Sequence, residues 1–425
     1  MEFISGKIKL RDILLDNFNW IRFFAAYWPS IRLPIITNII KLLACRTTFF
    51  GYTLFRCPKC DTYKKVPHTC KSRFCPSCGK KATDNWIQNS YEQLPQCQYQ
   101  HITFTIPEQL WDLFWLNRHL MNIAPKIAAD IIMKEAAKQG YLPGIFLAIH
   151  TFGRKANRNY HLHMSTTVGG LSIDDRCRWV KNDAFFPHGI LKNEWKKSIL
   201  KLLEDEFEAG RLKLPKDVPF VRCKYSFLDW VHRIKNQTWI VHLSEKSDDM
   251  KKNVDYLGKY LKRPPVGETR ILRYDGKEVT FRYLDHYTKV QDTITLGVLE
   301  FIARLISHIP DKYFRNIRYY GFLSNRLRGK LLPVAKSSLL PTNKGDNDQS
   351  YKKNIFEKEK ASDNENICKQ KVSYRDLHKK YTGRDPLVCL CCKREMEFSY
   401  HHFTKNKPDR RFHKNVALGC YSMRN

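Results

Sequence analysis

The chain has 425 residues, and 74 Lys+Arg against 42 Asp+Glu give it a formal net charge of +32. That length predicts two or three domains with ample chain for a buried core, and 43% hydrophobic with 13% aromatic residues excludes a disordered polycation. Such a positive surplus on an enzyme-sized folded protein calls for a polyanionic partner, nucleic acid first. No apolar run approaches the roughly 18 residues needed to span a bilayer; Ile35–Cys45 is short and interrupted by Asn38 and Lys41. MEFISGKIKLRD lacks the apolar core and cleavage site of a signal peptide. The expectation is a cytoplasmic protein whose 14 cysteines are reduced and, where clustered, are metal ligands. No GxxxxGK[ST] occurs, so no P-loop motor is expected.

In chain order, residues 1–50 read as an N-terminal helical segment, with helices over Leu10–Tyr27 and Ile31–Leu43 separated by Pro29 and Pro34. Residues 51–95 form a Cys- and Lys-rich module. Cys57-Pro-Lys-Cys60 and Cys75-Pro-Ser-Cys78 are two CxxC knuckles with His68 and Cys70 between them. Two such knuckles are expected to complete one tetrahedral thiolate shell for Zn²⁺, with Cys70 able to replace a ligand. Metal would then drive folding of a segment with little core of its own. Lys71 and Arg73, among other basic residues here, suit phosphate-backbone contact.

Residues 96–335 are a mixed region. Strands are expected at His101–Ile106 and Gly144–His150, and helices at Trp111–Gln139 and Lys192–Glu208. Asn159–Val168 reads as a strand in which His161 and His163, two apart, share one face while Leu162 and Met164 face the core. His150 ends the preceding strand, where it serves either as a third ligand or as a hydrogen-bonded strand end. Asn253–Leu261 reads as a helix stopped by Pro264-Pro265, with Tyr256 and Tyr260 on one face and Lys259, Lys262 and Arg263 close by. A phenol becomes a useful nucleophile when cations or a metal stabilise its oxyanion; taken alone, the pair reads rather as an aromatic stripe on an amphipathic helix. Residues 336–380 read as a polar linker, and 381–425 as a Cys/His tail.

The order of these motifs resembles the insertion-sequence-91 family of rolling-circle transposases, HUH enzymes with two catalytic tyrosines. The elements that carry the likeness are the Cys-rich module, HITFTIP, the HxH strand running into Thr167-Val-Gly-Gly170, YLGKYLKRPP, Tyr283–Thr288 and Phe301–Pro333. The tail motif Asp385-Pro-Leu-Val-Cys389-Leu-Cys-Cys392 is similar to the family's closing knuckle, although no second CxxC follows it; His401, His402 and Cys420 are the donors left to complete a site there. The resemblance implies an α+β fold: an HUH-type antiparallel-sheet catalytic domain with flanking helices, preceded by a small zinc-binding module. It implies His161 and His163 as ligands of a catalytic divalent ion, with His150 as third ligand by analogy with related replication initiators. Tyr256 and Tyr260 become nucleophiles that form a 5′-phosphotyrosine on single-stranded or melted element ends. Cys57, Cys60, Cys75 and Cys78, with Cys70, become the structural zinc ligands. Imidazoles favour Zn²⁺ or Mn²⁺, whereas the resemblance points to Mg²⁺ or Mn²⁺. A host helicase, supercoiling or hairpins would supply unwinding. The alternatives are an HUH plasmid replication initiator or relaxase, a non-catalytic zinc-dependent DNA-binding protein, and an RNA cyclic-phosphodiester enzyme using His101-Ile-Thr103 and His163-Met-Ser165.

Overall fold

A computed structural model describes residues 8–182, 186–218, 221, 223–247, 249–261, 264–285, 288–340 and 374–404. The N-terminal helices are α1 (Leu10–Leu15), α2 (Asn19–Tyr27) and α3 (Leu33–Leu43). The helix expected over 10–27 is broken because Asn17 and Phe18 are left-handed, with φ of 46° and 53°. Pro34 sits in the first turn of α3, where its missing N–H costs nothing. The hairpin β1 (Tyr52–Arg56) and β2 (Tyr63–Pro67) follows, then α4 (Pro76–Gln93) and β3 (Tyr99–Thr105).

The helix expected at 111–139 is two helices, α5 (Trp111–Leu116) and α6 (Leu120–Ala137). Buried Asn117 separates them. Its amide donates to Leu113 O at 2.8 Å and Lys213 O at 2.7 Å, and its oxygen accepts from Lys213 N, so the side chain competes with the helical ladder for local partners. Next come β4 (Tyr141–Leu142), β5 (Gly144–Phe152), β6 (Arg158–Thr167), β7 (Gly170–Ser172), β8 (Trp179–Val180), α7 (His188–Glu208), α8 (Lys224–Lys235), β9 (Val241–Ser247) and α9 (Met250–Leu261). The described chain closes with β10 (Ile271–Tyr274), β11 (Glu278–Leu284), β12 (Gln291–Gly297), α10 (Val298–Ser307), β13 (Ile317–Gly321), α11 (Arg328–Ser338), α12 (Tyr374–Thr382) and β14 (Glu397–His402).

The architecture is mixed helix and antiparallel sheet. Its central sheet has five strands in the order β13-β5-β6-β3-β9. Side chains alternate between its faces. Ile102, Phe104, Leu147, Ile149, Leu162 and Met164 point to one face and are buried with Phe114, Ala128, Trp195 and Phe227 of α5–α8. Tyr99, Phe146 and Ala148 point to the other face, where Met250 and Val254 of α9 and Phe322 cover them. A second core joins α1–α3 to β10–β12 and α10 through Phe23, Ile39, Tyr274, Phe281 and Phe301. Arg32 and Arg118 both pair with Asp311, which ties the start of α3 and the α5–α6 junction to the segment before β13. β14 pairs antiparallel with β1, so the small sheet has the order β14-β1-β2.

Leu162 is fully buried at the centre of β6. Leu162→Ala should destabilise the protein by about 2–5 kcal/mol through lost burial and the cavity left behind. A urea midpoint that falls with unchanged slope would check it; an unchanged midpoint would contradict the assigned face of β6.

Candidate metal centres and the active-site face

β5 and β6 are paired with His150 opposite His161 and Ala148 opposite His163. Directly opposed residues of an antiparallel pair project to the same face, so this register sets three imidazoles side by side. One ring nitrogen from each of His150, His161 and His163 lies within 4.8 Å of the other two. His150 Nδ1 stands 2.9 Å from His161 Nε2. His161 Nδ1 lies 3.0 Å from Asn159 O and 3.1 Å from Asn159 Oδ1. Both are acceptors, so Nδ1 carries the proton and Nε2 presents a lone pair.

The adjacent strand adds a residue that sequence reasoning placed elsewhere. β3 pairs with β6 so that His101 opposes Ser165 and Thr103 opposes His163. His101 Nε2 is 3.2 Å from His163 Nδ1, their rings stack, and Thr103 Oγ1 is 3.4 Å from the same nitrogen. Contacts of this kind fix the orientation and tautomer of a ligating histidine. The HxT motif at 101–103 is the available signal, although in sequence it serves only the alternative of an RNA cyclic-phosphodiester site.

Burial keeps all of these rings neutral. It lowers His161 and His101 to about 4. His150 and His163 are held well below the ordinary histidine range, first by burial and then by the neighbouring imidazoles. Neutral imidazole is the form that binds metal. A cluster of three neutral, oriented donors therefore fits a divalent ion, and its all-nitrogen character suits Mn²⁺ or Zn²⁺ better than Mg²⁺.

The same face of the sheet is crossed by α9, since Val254 and Met250 share a core with Ala148 and Phe146. A Cβ at Gly258 would lie 2.5 Å from Ile87 Cδ1, so α9 approaches α4 closely. The backbone of Tyr256, Lys259 and Tyr260 belongs to α9. Their side chains, and the whole of Lys262, Arg263, His286 and Tyr287, lie outside the described residues.

The cysteines are arranged differently from the expected single shell. Cys75 and Cys78 gather with Cys70 and Cys45, whereas Cys57 and Cys60 gather with Cys389 and Cys392. In the first group the sulfurs of Cys45 and Cys78 are 3.7 Å apart, those of Cys70 and Cys78 3.6 Å, and those of Cys75 and Cys45 3.6 Å. Thiol contacts from Cys45, Cys70 and Cys75 hold Cys78 below the usual thiol range. Cys75 caps α4, and Ser72 N–H points at Cys70 Sγ at 3.4 Å. Cys45 had no signal in the sequence: a lone cysteine just after an apolar helix reads as core. The knuckles at 57–60 and 75–78 part company because the chain between them turns back, with Lys71 left-handed at φ 53°.

Of the other named donors, His68 contacts Thr53 Oγ1 at 3.2 Å and His401 Nδ1 contacts the same oxygen at 2.8 Å. His402 stacks on Tyr52, and Cys420 lies outside the described residues. Lys71 is exposed, while Arg73 is partly buried and donates to Asn316 Oδ1 at 3.3 Å.

Comparison with known proteins names the class. Residues 144–330 match a family model described as "Putative transposase", and residues 20–106 match one described as "Transposase zinc-binding domain". The chain is 34% identical, over 86% of its length and 83% of the relative's, to the transposase for insertion sequence element IS801 of Pseudomonas savastanoi pv. phaseolicola. It is 26% identical, over 82% of its length and 84% of the relative's, to a Sinorhizobium fredii protein titled "Putative transposase y4qJ". No solved structure matches. The protein is a transposase, a class of DNA-cleaving enzyme. Within that class it belongs to the insertion-sequence-91 family. Among the described residues no helix is long and apolar enough to cross a membrane.

His101→Phe keeps the stacked ring and removes the nitrogen that faces His163. It should weaken Mn²⁺ binding by about 10–100-fold, the usual effect of losing an outer-shell partner. Titration calorimetry on the full chain measures this, and unchanged affinity would mean that His101 does not orient His163.

Proposed function

We propose that this transposase nicks and rejoins single DNA strands at the ends of its element through a 5′-phosphotyrosine intermediate, and so drives rolling-circle transposition. The observation that carries this reading is the strand register that assembles His150, His161 and His163 on the sheet face crossed by the helix bearing Tyr256 and Tyr260. An antiparallel five-stranded sheet with HxH on its central strand agrees with an HUH catalytic domain.

In this reading His161 and His163, joined by His150, hold the divalent ion. Bound by these residues, a divalent ion would supply polarisation of the scissile phosphate and tolerance of charge on its non-bridging oxygens. His101, Thr103 and Asn159 keep the ligands oriented. The phenolic oxygen of Tyr256 or Tyr260 attacks phosphorus in line. The new O–P bond replaces the bond to the 3′ oxygen, which leaves as a hydroxyl carrying a proton equivalent to the one lost by the phenol. The phosphodiester energy stays in the adduct, and a 3′-OH attacking it reverses the step and joins strands. Two tyrosines four residues apart on a helix permit a second cleavage before the first adduct is resolved. Lys259, Lys262 and Arg263 follow the tyrosines in sequence and serve the scissile strand. Exposed Lys71 contacts backbone phosphate, and Arg73 supports that contact from its place beside Asn316. Cys45, Cys70, Cys75 and Cys78 hold structural zinc.

Incubation of the full chain with single-stranded element-end DNA and Mn²⁺ should give a denaturation-resistant adduct on the 5′-phosphate end created by the nick. Tyr256→Phe/Tyr260→Phe should abolish it. His161→Ala should abolish it while leaving duplex binding within a few-fold. Adduct formation by the double tyrosine variant would overturn the nucleophile assignment, and cleavage without any covalent species would favour a cyclic-phosphodiester chemistry instead.

A further inference from the structure

The second cysteine group combines residues from opposite ends of the chain. Cys57 and Cys60 lie in the turn of the β1–β2 hairpin, and Cys389 and Cys392 lie in a tight turn closed by the Val388–Glu395 bridge. The sulfurs of Cys57 and Cys392 are 3.4 Å apart across 335 residues of sequence, and one sulfur from each of the four cysteines lies within 4.8 Å of the rest.

The two turns have the same internal geometry. Cys57 N donates to Thr62 O at 2.8 Å, Asp61 N donates to Cys57 O at 3.0 Å, and Asp61 is left-handed at φ 52°. Cys389 N donates to Arg394 O at 2.8 Å, Lys393 N donates to Cys389 O at 3.0 Å, and Lys393 is left-handed at φ 59°. A non-glycine residue in that conformation is uncommon, and here it recurs directly after the second cysteine of each turn. Each turn thereby presents two sulfurs on one side, and the two turns face each other. Cys57 and Cys389 are buried with Met396 in a small core of their own. Around that core, β14 adds to β1, Lys64 Nζ donates to Pro386 O, and Thr404 Oγ1 donates to Phe49 O at 2.6 Å.

We propose that Cys57, Cys60, Cys389 and Cys392 bind a second zinc ion, and that this ion clasps the C-terminal tail to the N-terminal hairpin as the two halves of one split zinc ribbon. Four thiolates in two facing knuckles are the donor set that structural Zn²⁺ takes, with all four positions filled by protein. The apolar contacts of the tail with the hairpin are mostly at exposed rings, Phe398 beside Phe55 and Tyr400 beside Tyr52. The tail's helix and knuckle are joined by the ion pairs of Arg375 with Asp385 and Glu395. These pairs lie within the tail and are partly exposed, so a metal enclosed by the four thiolates would add to the β14–β1 ladder the contact that clasps the tail. The clasp is separate from the group at Cys45, Cys70, Cys75 and Cys78, which shares no ligand with it.

Zinc content of the full chain distinguishes the arrangements. Cys389→Ser/Cys392→Ser should lose one zinc per chain relative to the parent, and so should Cys57→Ser/Cys60→Ser. The quadruple variant should also lose one and not two, because both halves serve the same ion. Retention of all zinc by the Cys389→Ser/Cys392→Ser variant would overturn the proposal, as would a loss of two by the quadruple variant. A second readout does not depend on metal counting. With a protease sequence inserted between Gln349 and Ser350, the cut tail of the zinc-loaded parent should co-elute with the remainder and should leave it in the Cys389→Ser/Cys392→Ser variant. Release from the parent, or retention in that variant, would overturn the clasp.

Discussion

The register between β5, β6 and β3 is the constraint on which the active-site face depends. Side chains alternate along a strand with a period of two, so a slip of one residue would send His161 and His163 into the core under α5–α8 and turn Leu162 and Met164 to the face crossed by α9. The observed pairing is held by burial on both faces, with Ile149, Leu162 and Phe104 on one side and Phe146, Ala148 and Tyr99 on the other. Apolar packing thus selects the register, and the register aligns the imidazoles. Their neutrality has the same origin. The closeness that brings three rings together on a buried face would be repulsive if they were charged, and burial removes the proton instead.

Candidate metal sites of two chemistries occupy different kinds of ground. The imidazole group rests on sheet strands, where neighbouring strands supply the outer hydrogen bonds. The thiol groups rest on turns and a helix start, where backbone N–H groups point at sulfur: Ser72 N–H at Cys70 and Cys60 N–H at Cys57, each at 3.4 Å. Rigid strands suit an ion whose ligands must leave room for substrate. Tight turns suit an ion that is fully enclosed and contributes to folding itself.

Much of the active-site face was legible in the sequence because it depends on local periodicity. The HxH strand, the strand ending in His150 and the helix carrying YLGKY can each be read from a dozen residues or fewer. What was not legible was partner choice at long range. A CxxC states that a knuckle forms but not which knuckle it faces, and the partner of Cys57 and Cys60 lies beyond a long polar stretch while Cys75 is close by in sequence. Nearness along the chain therefore pointed to the wrong pair. Cys45 was hidden for a related reason, since a single cysteine has no spacing to read. The helix break at Asn117 was not legible because a polar side chain in a helical stretch shows its competing partners only once the fold has supplied them.

The first cysteine group also bears on the placement of a helix. Cys75 is the N-cap of α4 and Cys78 lies in its first turn, so the thiol cluster fixes where that helix begins. Farther along α4, Ile87 and Thr83 form the seat of Gly258, and Trp86 Nε1 donates to Tyr319 OH of β13 at 2.9 Å. α4 is therefore a strut from the cysteine cluster to the helix that crosses the histidine face. Gly258 lies between the two tyrosine positions, where a Cβ would overlap the side chain of Ile87. The glycine of YLGKY is thus a packing residue, and the cysteine cluster and the tyrosine helix belong to one mechanical unit. A metal held at Cys45, Cys70, Cys75 and Cys78 would therefore bear on the proposed chemistry through the placement of α4.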